Sequence, residues 1–322
     1  MAEPILKVEH LTKQFKTARG LLHAVDDVSF EIEEGKTLGI VGESGCGKST
    51  TGRCVLRLIE PTSGRVIFDG EDILSLNTQQ MRRRRCDMQI IFQDPFSSLN
   101  PRNTVMQTIA EGVRMRGKYH TRAQVENRVL ELMETVGLAE RLVNSYPHEL
   151  DGGRRQRIGI ARALAVEPRL IICDEPVSAL DVSIQAQILN LLRELQKKLG
   201  LTYIFITHDL AVVNHISDEI MVMYLGKAVE KASAEALFAN PVHPYTRALL
   251  SAIPIPKVDG QRRERILLRG EVSSPIDPKD ECRFMRRCQD LGKECTGNCP
   301  ALSQVAPGHF AACHRAMEFV KK

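Results

Sequence analysis

The spacing of apolar residues along the chain predicts short strands at several places. Residues 5–8 and 25–32 are predicted strands, the second because apolar and polar residues alternate there. Thr37–Val41 is a continuous apolar run of strand length, which is typical of a buried parallel strand. Further strands are predicted at 66–69, 89–92, 170–173 and 203–206.

Helical periodicity separates these strands. A helix is predicted from about Lys48 to Ile59, where a proline and a glycine end it, and another over roughly 184–199. The stretch 94–160 is mostly helical in pattern. Strands that alternate with helices predict an α/β fold with a largely parallel sheet, into which 94–160 is inserted as a helical subdomain. The clearest apolar helix face consists of Val129, Leu132, Met133 and Val136.

The composition is that of an ordinary globular protein, with length for about two domains. The chain has 322 residues, 43% apolar and 26% charged, with a formal net charge of +4. That excess is too small to indicate nucleic-acid binding. No apolar run approaches the roughly 18 residues of a membrane span, and the N-terminus lacks the pattern of a secretory signal. We therefore expect a cytosolic protein.

The cysteines are unevenly distributed, since five of the nine follow residue 281. Disulfides are rare in the cytosol, so a disulfide framework is not the expected explanation. Prolines and glycines recur over 254–281, which predicts a linker leading into a small Cys-rich tail. The clustered cysteines are Cys282, Cys288, Cys295, Cys299 and Cys313.

A glycine-rich segment between the strand 37–41 and the helix that follows fits the phosphate-loop pattern G-x-x-x-x-G-K-[ST]. Its glycines let successive backbone N–H groups face an anion, and the helix N-terminus favours phosphate. The strand–loop–helix context makes a chance turn the less favoured explanation, and Cys46 is interpreted as a tolerated small residue. The predicted nucleotide-binding residues here are Gly42, Glu43, Ser44, Gly45, Cys46, Gly47, Lys48, Ser49 and Thr50.

Two carboxylates follow the apolar strand 170–173. Ligands bind at the carboxyl ends of strands in open α/β sheets, so Asp174 is the predicted Mg²⁺ ligand together with Ser49. Glu175 is the candidate general base for an attacking water. A lone Asp-Glu pair would normally be a solvated turn, but the phosphate loop upstream makes that interpretation the weaker one.

Four further segments narrow the class of phosphate-loop protein. They are Gln93 after one predicted strand, Leu150–Arg157 before a helical run, Ser178–Asp181 after the carboxylate pair, and His208 after the strand 203–206. In this order and spacing, over about residues 5–250, the chain resembles the nucleotide-binding subunit of an ABC transporter.

The resemblance implies a role for each matching residue. Gln93 matches the glutamine that contacts Mg²⁺ and senses the membrane subunits, and Asp181 matches the aspartate of the D-loop. Lys48 and His208 match the residues that contact the γ-phosphate. Phe15 matches the aromatic residue that stacks on adenine, with simple core packing as the alternative.

The signature segment departs from the family pattern Leu-Ser-Gly-Gly-Gln. Asp151 stands in place of the serine and Arg154 in place of the glutamine, while Gly152 and Gly153 match. In the family this loop closes over the ATP held by the opposite subunit, and a carboxylate has no proton to donate to phosphate. The hypothesis is a weakened composite site; the alternative is that Asp151 caps its helix and Arg154 neutralises it.

Two segments, Phe96–Arg102 and His243–Leu250, resemble the ATP-binding subunits of oligopeptide and dipeptide importers, of the second-subunit type. The resemblance extends into the tail, where that family can hold an iron–sulfur cluster. It implies a [4Fe–4S] cluster, with Zn²⁺ or free cysteines as alternatives, and leaves Cys299 unassigned. The implied ligands are Cys282, Cys288, Cys295 and Cys313.

The run Arg82–Arg85 is the most basic segment of the chain. Blocks of basic residues occur at nucleic-acid and anionic-lipid surfaces. The methionines on either side of this run favour a solvated helix face, and contact with lipid headgroups is the alternative.

The resemblance as a whole implies an ATPase subunit that powers import of dipeptides or oligopeptides. It implies a nucleotide-binding domain at 1–253, a C-terminal extension at 254–322, and a peripheral position on the cytoplasmic face of the membrane. The implied partners are two permeases, a second ATPase subunit (a homologue, or a second copy of this chain) and an external peptide-binding protein, with no nucleic acid.

Other functions remain as alternatives. Nickel or another small solute could replace peptide, because specificity lies in other subunits. A soluble ABC ATPase of translation or DNA repair usually carries two cassettes or a long coiled-coil insertion, and neither is visible here. A phosphate-loop kinase would have no use for the segments 150–157 and 178–181.

Overall fold

The computed structural model describes residues 3–253, 265–268, 270, 273–295 and 297–320. Most of the predicted linker before residue 273 lies outside the described residues. The chain divides into two compact units. The first unit comprises 1–32, 37–74 and 207–322, and the second comprises 33–36 and 75–206. The predicted division at residue 253 into two domains stays a prediction.

The strands vary in length from two residues to thirteen. In chain order they are β1 (Leu6–Thr17), β2 (Gly20–Ile32), β3 (Thr37–Val41), β4 (Ser63–Phe68), β5 (Glu71–Asp72), β6 (Met88–Ile91), β7 (Leu170–Asp174), β8 (Thr202–Thr207), β9 (Glu219–Tyr224), β10 (Lys227–Ser233), β11 (Ser303–Ala306) and β12 (His309–Ala311).

The helices lie between the strands. In chain order they are α1 (Lys48–Val55), α2 (Thr78–Arg84), α3 (Pro95–Ser98), α4 (Val105–Met115), α5 (Arg122–Thr135), α6 (Gly152–Leu164), α7 (Val182–Leu199), α8 (Leu210–Ile216), α9 (Ala234–Ala239), α10 (Pro244–Ser251) and α11 (Ala316–Phe319). None of the helices among the described residues combines the length and the apolar character that a bilayer crossing needs.

The first unit contains two groups of paired strands. In the small antiparallel sheet β1 pairs with both β2 and β4, and β4 with β5. In the other group β3 runs parallel to β9, and β9, β10, β12 and β11 continue as antiparallel neighbours. All five residues of β3 are buried, as its continuous apolar run predicts. The tail therefore adds two strands, β11 and β12, to the same unit as the phosphate loop.

The second unit combines three parallel strands with helices. β7 pairs in parallel with β6 and with β8, and every residue of β7 and β8 is buried. Capping boxes at Thr104 and Thr121 start α4 and α5, each with a glutamine as its second member. The predicted apolar face of α5 is confirmed, since Val129, Leu132 and Met133 are buried in it and Val136 is buried at its end.

The predicted fold class is confirmed: the chain is an α/β protein with parallel strands, a small antiparallel sheet and a helical insertion. Two boundaries differ. β1 and β2 are longer than predicted because they form one hairpin with β-bulges, which lets half-exposed polar residues continue the pairing. α1 ends at Val55 rather than Ile59, because Arg57 adopts a left-handed φ of 50°.

The arginine run lies at the end of α2 and just beyond it. Arg82, Arg83 and Arg85 are exposed, and Arg84 forms an ion pair with Asp87 at 3.9 Å. This placement agrees with the predicted solvated helix face. Contact with lipid headgroups stays a hypothesis.

Candidate functional site

The phosphate loop connects β3 to α1 in the first unit, and its glycines are required by the backbone. Gly47 has a φ of 106°, and a Cβ there would lie 2.1 Å from the carbonyl oxygen of Ala24. At Gly42, with a φ of 155°, a Cβ would lie 2.2 Å from the carbonyl oxygen of Met223. Any larger residue at either position would move neighbouring backbone, so the sequence pattern reflects a steric need.

Lys48 is the first residue of α1, directly after the loop, and is only 4% exposed. Its ammonium donates to the carbonyl oxygens of Gly42 at 2.8 Å and Glu43 at 3.0 Å. Ser49 and Thr50 follow it, half-buried, in the first turn of α1, while Ser44 and Gly45 are exposed. A buried cation in a glycine loop at a helix N-terminus suits a phosphate anion.

Cys46 also lies in the loop, at 3% exposure. Burial raises the pKa of its thiol, although the nearby Lys48 opposes the shift. A thiol that stays neutral is a poor nucleophile. This agrees with the interpretation of Cys46 as a tolerated small residue.

Two other predicted nucleotide residues belong to the same unit as the loop. Phe15 is half-buried on β1, opposite Leu22 of β2, and the ammonium of Lys13 lies 4.8 Å from the centre of its ring. His208 is exposed directly after β8. Phe15 is only half-buried, which argues against simple core packing, and its stacking role stays a prediction.

In the second unit the structure brings Gln93 and Glu175 together. The side-chain amide of Gln93 donates to the carboxylate of Glu175 at 2.9 Å. The backbone N–H of Glu175 donates to the carbonyl of Ile206 at 2.9 Å, and its φ is 48°. A left-handed non-glycine residue costs free energy, so surrounding contacts must hold it. No sequence signal indicates this strain.

The two predicted aspartates of the second unit differ in their surroundings. Asp174, the last residue of β7, is 2% exposed. Mg²⁺ is a hard cation that binds oxygen ligands, so a buried carboxylate at the end of a strand is chemically suited to bind it. Asp181 is exposed and stands at the N-cap of α7 without a side-chain cap hydrogen bond.

The signature segment begins α6, with Asp151 as its N-cap. The Asp151 carboxylate accepts from the backbone N–H of Arg154 at 2.8 Å and pairs with the Arg154 guanidinium at 3.3 Å. Gly152 and Gly153 form the first turn, and a Cβ on Gly153 would lie 2.8 Å from Ile184. The two departures from the family pattern thus form one capped and neutralised pair, as the alternative interpretation predicts.

The predicted metal centre in the tail stays a prediction. Among the described residues, which include all five tail cysteines, no three His, Cys, Asp or Glu side chains are placed to hold a metal ion. Burial raises the pKa of Cys282 and of Cys313 to about 11, and other tail cysteines lie near enough to both thiols to raise their pKa further. Cys282, Cys288, Cys295 and Cys313 therefore remain the predicted ligands of [4Fe–4S] or Zn²⁺, without a formed metal site among the described residues.

Glu230 on β10 is a buried carboxylate, 0% exposed, that no sequence motif indicates. It accepts from the backbone N–H groups of Val242 at 2.7 Å and His243 at 2.9 Å, and its contact with the His309 ring is 2.7 Å. Burial lowers the pKa of His243 to about 4, so this imidazole is neutral near pH 7 and its Nδ1 accepts from Tyr245. Glu230 therefore connects β10, the start of α10 and the tail.

A second group of residues missed by the sequence analysis contacts the phosphate loop itself. Arg287, in the tail, forms two hydrogen bonds to the carboxylate of Glu43, at 2.7 and 3.1 Å. The backbone N–H of Glu43 donates to the hydroxyl of Tyr245 at 2.9 Å. The contacts span 244 and 202 residues of sequence, so no local pattern could have indicated them.

Two protein families match the chain. Residues 25–178 match the ABC transporter family, which includes the phosphate loop and the Asp174–Glu175 pair. Residues 229–295 match the C-terminal region of oligopeptide and dipeptide transporters.

Relatives match over nearly the full length. The oligopeptide transport ATP-binding protein OppF of Bacillus subtilis is 51% identical over 320 residues, which is 98% of each chain. AppF of the same organism, also an oligopeptide transport ATP-binding protein, is 50% identical over 97% of each chain. A protein of Brucella ovis, named as a peptide import ATP-binding protein, is 53% identical over 97% of this chain and 98% of its own.

Solved structures match the ATPase core. The ATP-binding cassette MJ0796, in a dimeric post-hydrolysis state with ADP and phosphate, is 30% identical, with a TM-score of 0.66. That match covers 71% of this chain and 98% of the cassette. CbiO1 of Clostridium perfringens, part of the CbiONQ ABC transporter complex, is 32% identical with a TM-score of 0.66, over 74% and 92%. The chain therefore belongs to the ABC transporter family of ATP-binding proteins, in the group that carries the oligopeptide and dipeptide transporter C-terminal region.

Proposed function

We propose that this chain hydrolyses ATP to power the import of dipeptides or oligopeptides through partner membrane permeases. The observation that carries the ATPase assignment is the Glu175 carboxylate, held by Gln93 at the end of a buried parallel strand. The C-terminal family match and the names of the full-length relatives support peptide as the cargo. Nickel or another small solute is the alternative cargo.

In the proposed reaction the phosphate loop binds ATP, with Lys48 and His208 contacting the γ-phosphate. Phe15 stacks on the adenine, and Ser49, Gln93 and Asp174 are the candidate Mg²⁺ ligands. When bound, Mg²⁺ neutralises charge that develops on the transferred phosphoryl group. Glu175 accepts the proton of the attacking water, and Gln93 orients its carboxylate.

The proposed assembly places the chain at the cytoplasmic face of the membrane, bound to the permeases. Two permeases provide the transport path, and an external binding protein delivers the peptide. We propose a heterodimer with a second ATPase subunit, in which Asp181 and the signature of this chain face the partner's ATP; a homodimer is the alternative. The family match and the relatives support the permease partners.

Peptide uptake by the complete transporter tests the function. With the permeases, the second ATPase subunit and the binding protein in proteoliposomes, we expect ATP-driven uptake of a labelled tripeptide that requires this chain. A Lys48→Ala variant controls for assembly, since it should join the complex and not support uptake. Uptake of ⁶³Ni²⁺ but not of peptides of any tested length would favour the alternative cargo, and uptake without this chain would contradict the proposal.

We also propose that the signature segment supports a weakened composite ATP site. Arg154 neutralises the charge of the Asp151 carboxylate, but a carboxylate only accepts hydrogen bonds, so Asp151 lacks the hydroxyl donor that the family serine offers to phosphate. Asp151→Ser combined with Arg154→Gln is therefore expected to raise the ATPase rate of the assembled transporter by about tenfold, on the scale of one hydrogen bond to a charged group. An unchanged rate would refute a weakened site, and Glu140→Ser, in the same unit, serves as the control.

A further inference from the structure

The carboxylate of Glu43 places a negative charge in the loop where an anion is to bind. The residue is held at each of its polar groups. Its carbonyl accepts from Lys48 at 3.0 Å and from the N–H of Cys46 at 3.3 Å. Its N–H donates to the Tyr245 hydroxyl, and both carboxylate oxygens accept from Arg287.

Arg287 reaches Glu43 from the tail, at the end of the 3₁₀ turn Met285–Arg287. The residue is 9% exposed, and its guanidinium lies 5.9 Å from the centre of the Tyr224 ring. Phe284, next to the turn, is 2% exposed and packs edge-on against Tyr224 at 5.3 Å between ring centres. Because buried rings fix the turn, the guanidinium is already in position for a two-bonded contact.

A second arginine of the tail, Arg283, contacts residues that pack against the phosphate loop near Cys46. Arg283 donates to the carbonyl of Leu225 and pairs with the carboxylate of Asp26. Gly226, the residue after Leu225, donates its N–H to the carbonyl of Cys46 at 2.9 Å. The tail therefore contacts the phosphate loop directly at Glu43. It contacts Cys46 indirectly, because Arg283 binds Leu225 and the next residue, Gly226, binds Cys46.

We propose that Arg287 is a positioning residue for nucleotide, and that the C-terminal extension braces the phosphate loop through the carboxylate of Glu43. This inference rests on the proposed ATPase function. Arg287 neutralises Glu43, which would otherwise repel the triphosphate, and it fixes the loop so that less ordering is needed on binding. ATP affinity thus depends on a segment outside the ATPase core.

The test compares Arg287→Ala, Arg287→Lys, Glu43→Ala and the double variant Glu43→Ala/Arg287→Ala. The control is Arg286→Ala, whose side chain is 72% exposed and 4.0 Å from Glu281. MgATP affinity of the full chain is measured by calorimetry, and KM and kcat in the assembled transporter.

We expect R287A to weaken MgATP binding and raise KM about tenfold, with kcat within about twofold, which corresponds to losing one bidentate charged contact. R287K should recover only part of the affinity that R287A loses. The lysine ammonium keeps the positive charge but cannot donate the two parallel hydrogen bonds of a guanidinium. In the E43A background R287A should change KM by less than about twofold, since the two residues act as a unit. A merely structural loss would lower the active fraction and leave KM unchanged.

The outcomes separate this inference from the proposed function. A wild-type chain that binds no MgATP would contradict the function itself. Two results would overturn the proposed role of Arg287 while leaving the function intact. The first is normal MgATP binding by the wild type with an unchanged KM in R287A, and the second is an equal effect of R287A on KM with and without Glu43. If R287A does not fold, the effect of R287K is compared in the wild-type and E43A backgrounds instead. The proposal requires that R287K raises KM only when Glu43 is present.

Discussion

Replacing Glu175 by glutamine is expected to lower ATP turnover of the assembled transporter by about 10²–10⁴-fold, the range that a positioned general base contributes. The amide has nearly the shape of the carboxylate, and its oxygen can still accept the hydrogen bond from Gln93, now 2.9 Å away. What it lacks is the capacity to take a proton from water. The loss is therefore expected in kcat, with ATP affinity retained.

The measurement pairs single-turnover hydrolysis with MgATP binding. Glu134→Gln makes the same chemical change on the exposed face of α5, in the same unit, and should leave both quantities unchanged. E175Q is expected to hold ATP without turning it over. Turnover above about one tenth of the wild-type rate would contradict the role of Glu175 as the base.

The left-handed backbone at Glu175 adds a second expectation to the same variant. The φ of 48° is fixed by surrounding contacts, among them the hydrogen bond from its N–H to Ile206. Glutamine keeps the backbone and these contacts, so the melting temperature of E175Q should stay close to that of wild type. A kinetic loss without a stability loss identifies chemistry rather than misfolding as its cause.

The sequence predicted best those elements that are buried on both faces. β3, β7 and β8 have continuous apolar runs because water reaches neither side of them, and their boundaries agree within a residue or two. The hairpin β1–β2 was predicted too short, because its pairing continues through polar residues that one open face tolerates. A helix can end at a single residue with a left-handed backbone, such as Arg57, and the spacing of apolar residues does not predict where this occurs.

The candidate site shows the same division between local and distant information. The phosphate loop and the carboxylate pair are each one short segment, so spacing alone predicts them. Arg287 and Glu230 act through contacts with residues far away in sequence, and their neighbourhoods contain no pattern that indicates a role. In the tail, the sequence pattern points to the cysteines. Polar contacts that attach the tail to the rest of the first unit are made by arginines and a histidine.

Glu230 carries the largest expected effect on stability. Its carboxylate is fully buried, and its three contacts come from two parts of the first unit: two backbone N–H groups at the start of α10, and the ring of His309 on β12. Backbone pairing of Glu230 with Ala311 joins the same two strands. Side chain and backbone of one residue therefore both attach the tail to β10.

Glu230→Ala is expected to lower the free energy of unfolding by about 3–5 kcal/mol, the cost of removing one partner from a buried charged network. Two backbone N–H groups and the His309 ring would lose their acceptor in a dry environment, and each such group costs about 1–3 kcal/mol. Glutamine would not restore the site fully, because its NH₂ group faces donors. Glu230→Gln should therefore fall between alanine and wild type.

Urea unfolding of the full chain measures the difference. The chain has no tryptophan, so circular dichroism and tyrosine fluorescence are the signals; the buried Tyr224 and Tyr245 lie in the same unit as Glu230. Glu219→Ala is the control, since its carboxylate is 41% exposed and pairs with Lys231 at 2.8 Å. An exposed pair of this kind contributes less than about 1 kcal/mol. If E230A lost no more stability than E219A, the tail would be held by its apolar contacts, and the buried carboxylate would not be what anchors it.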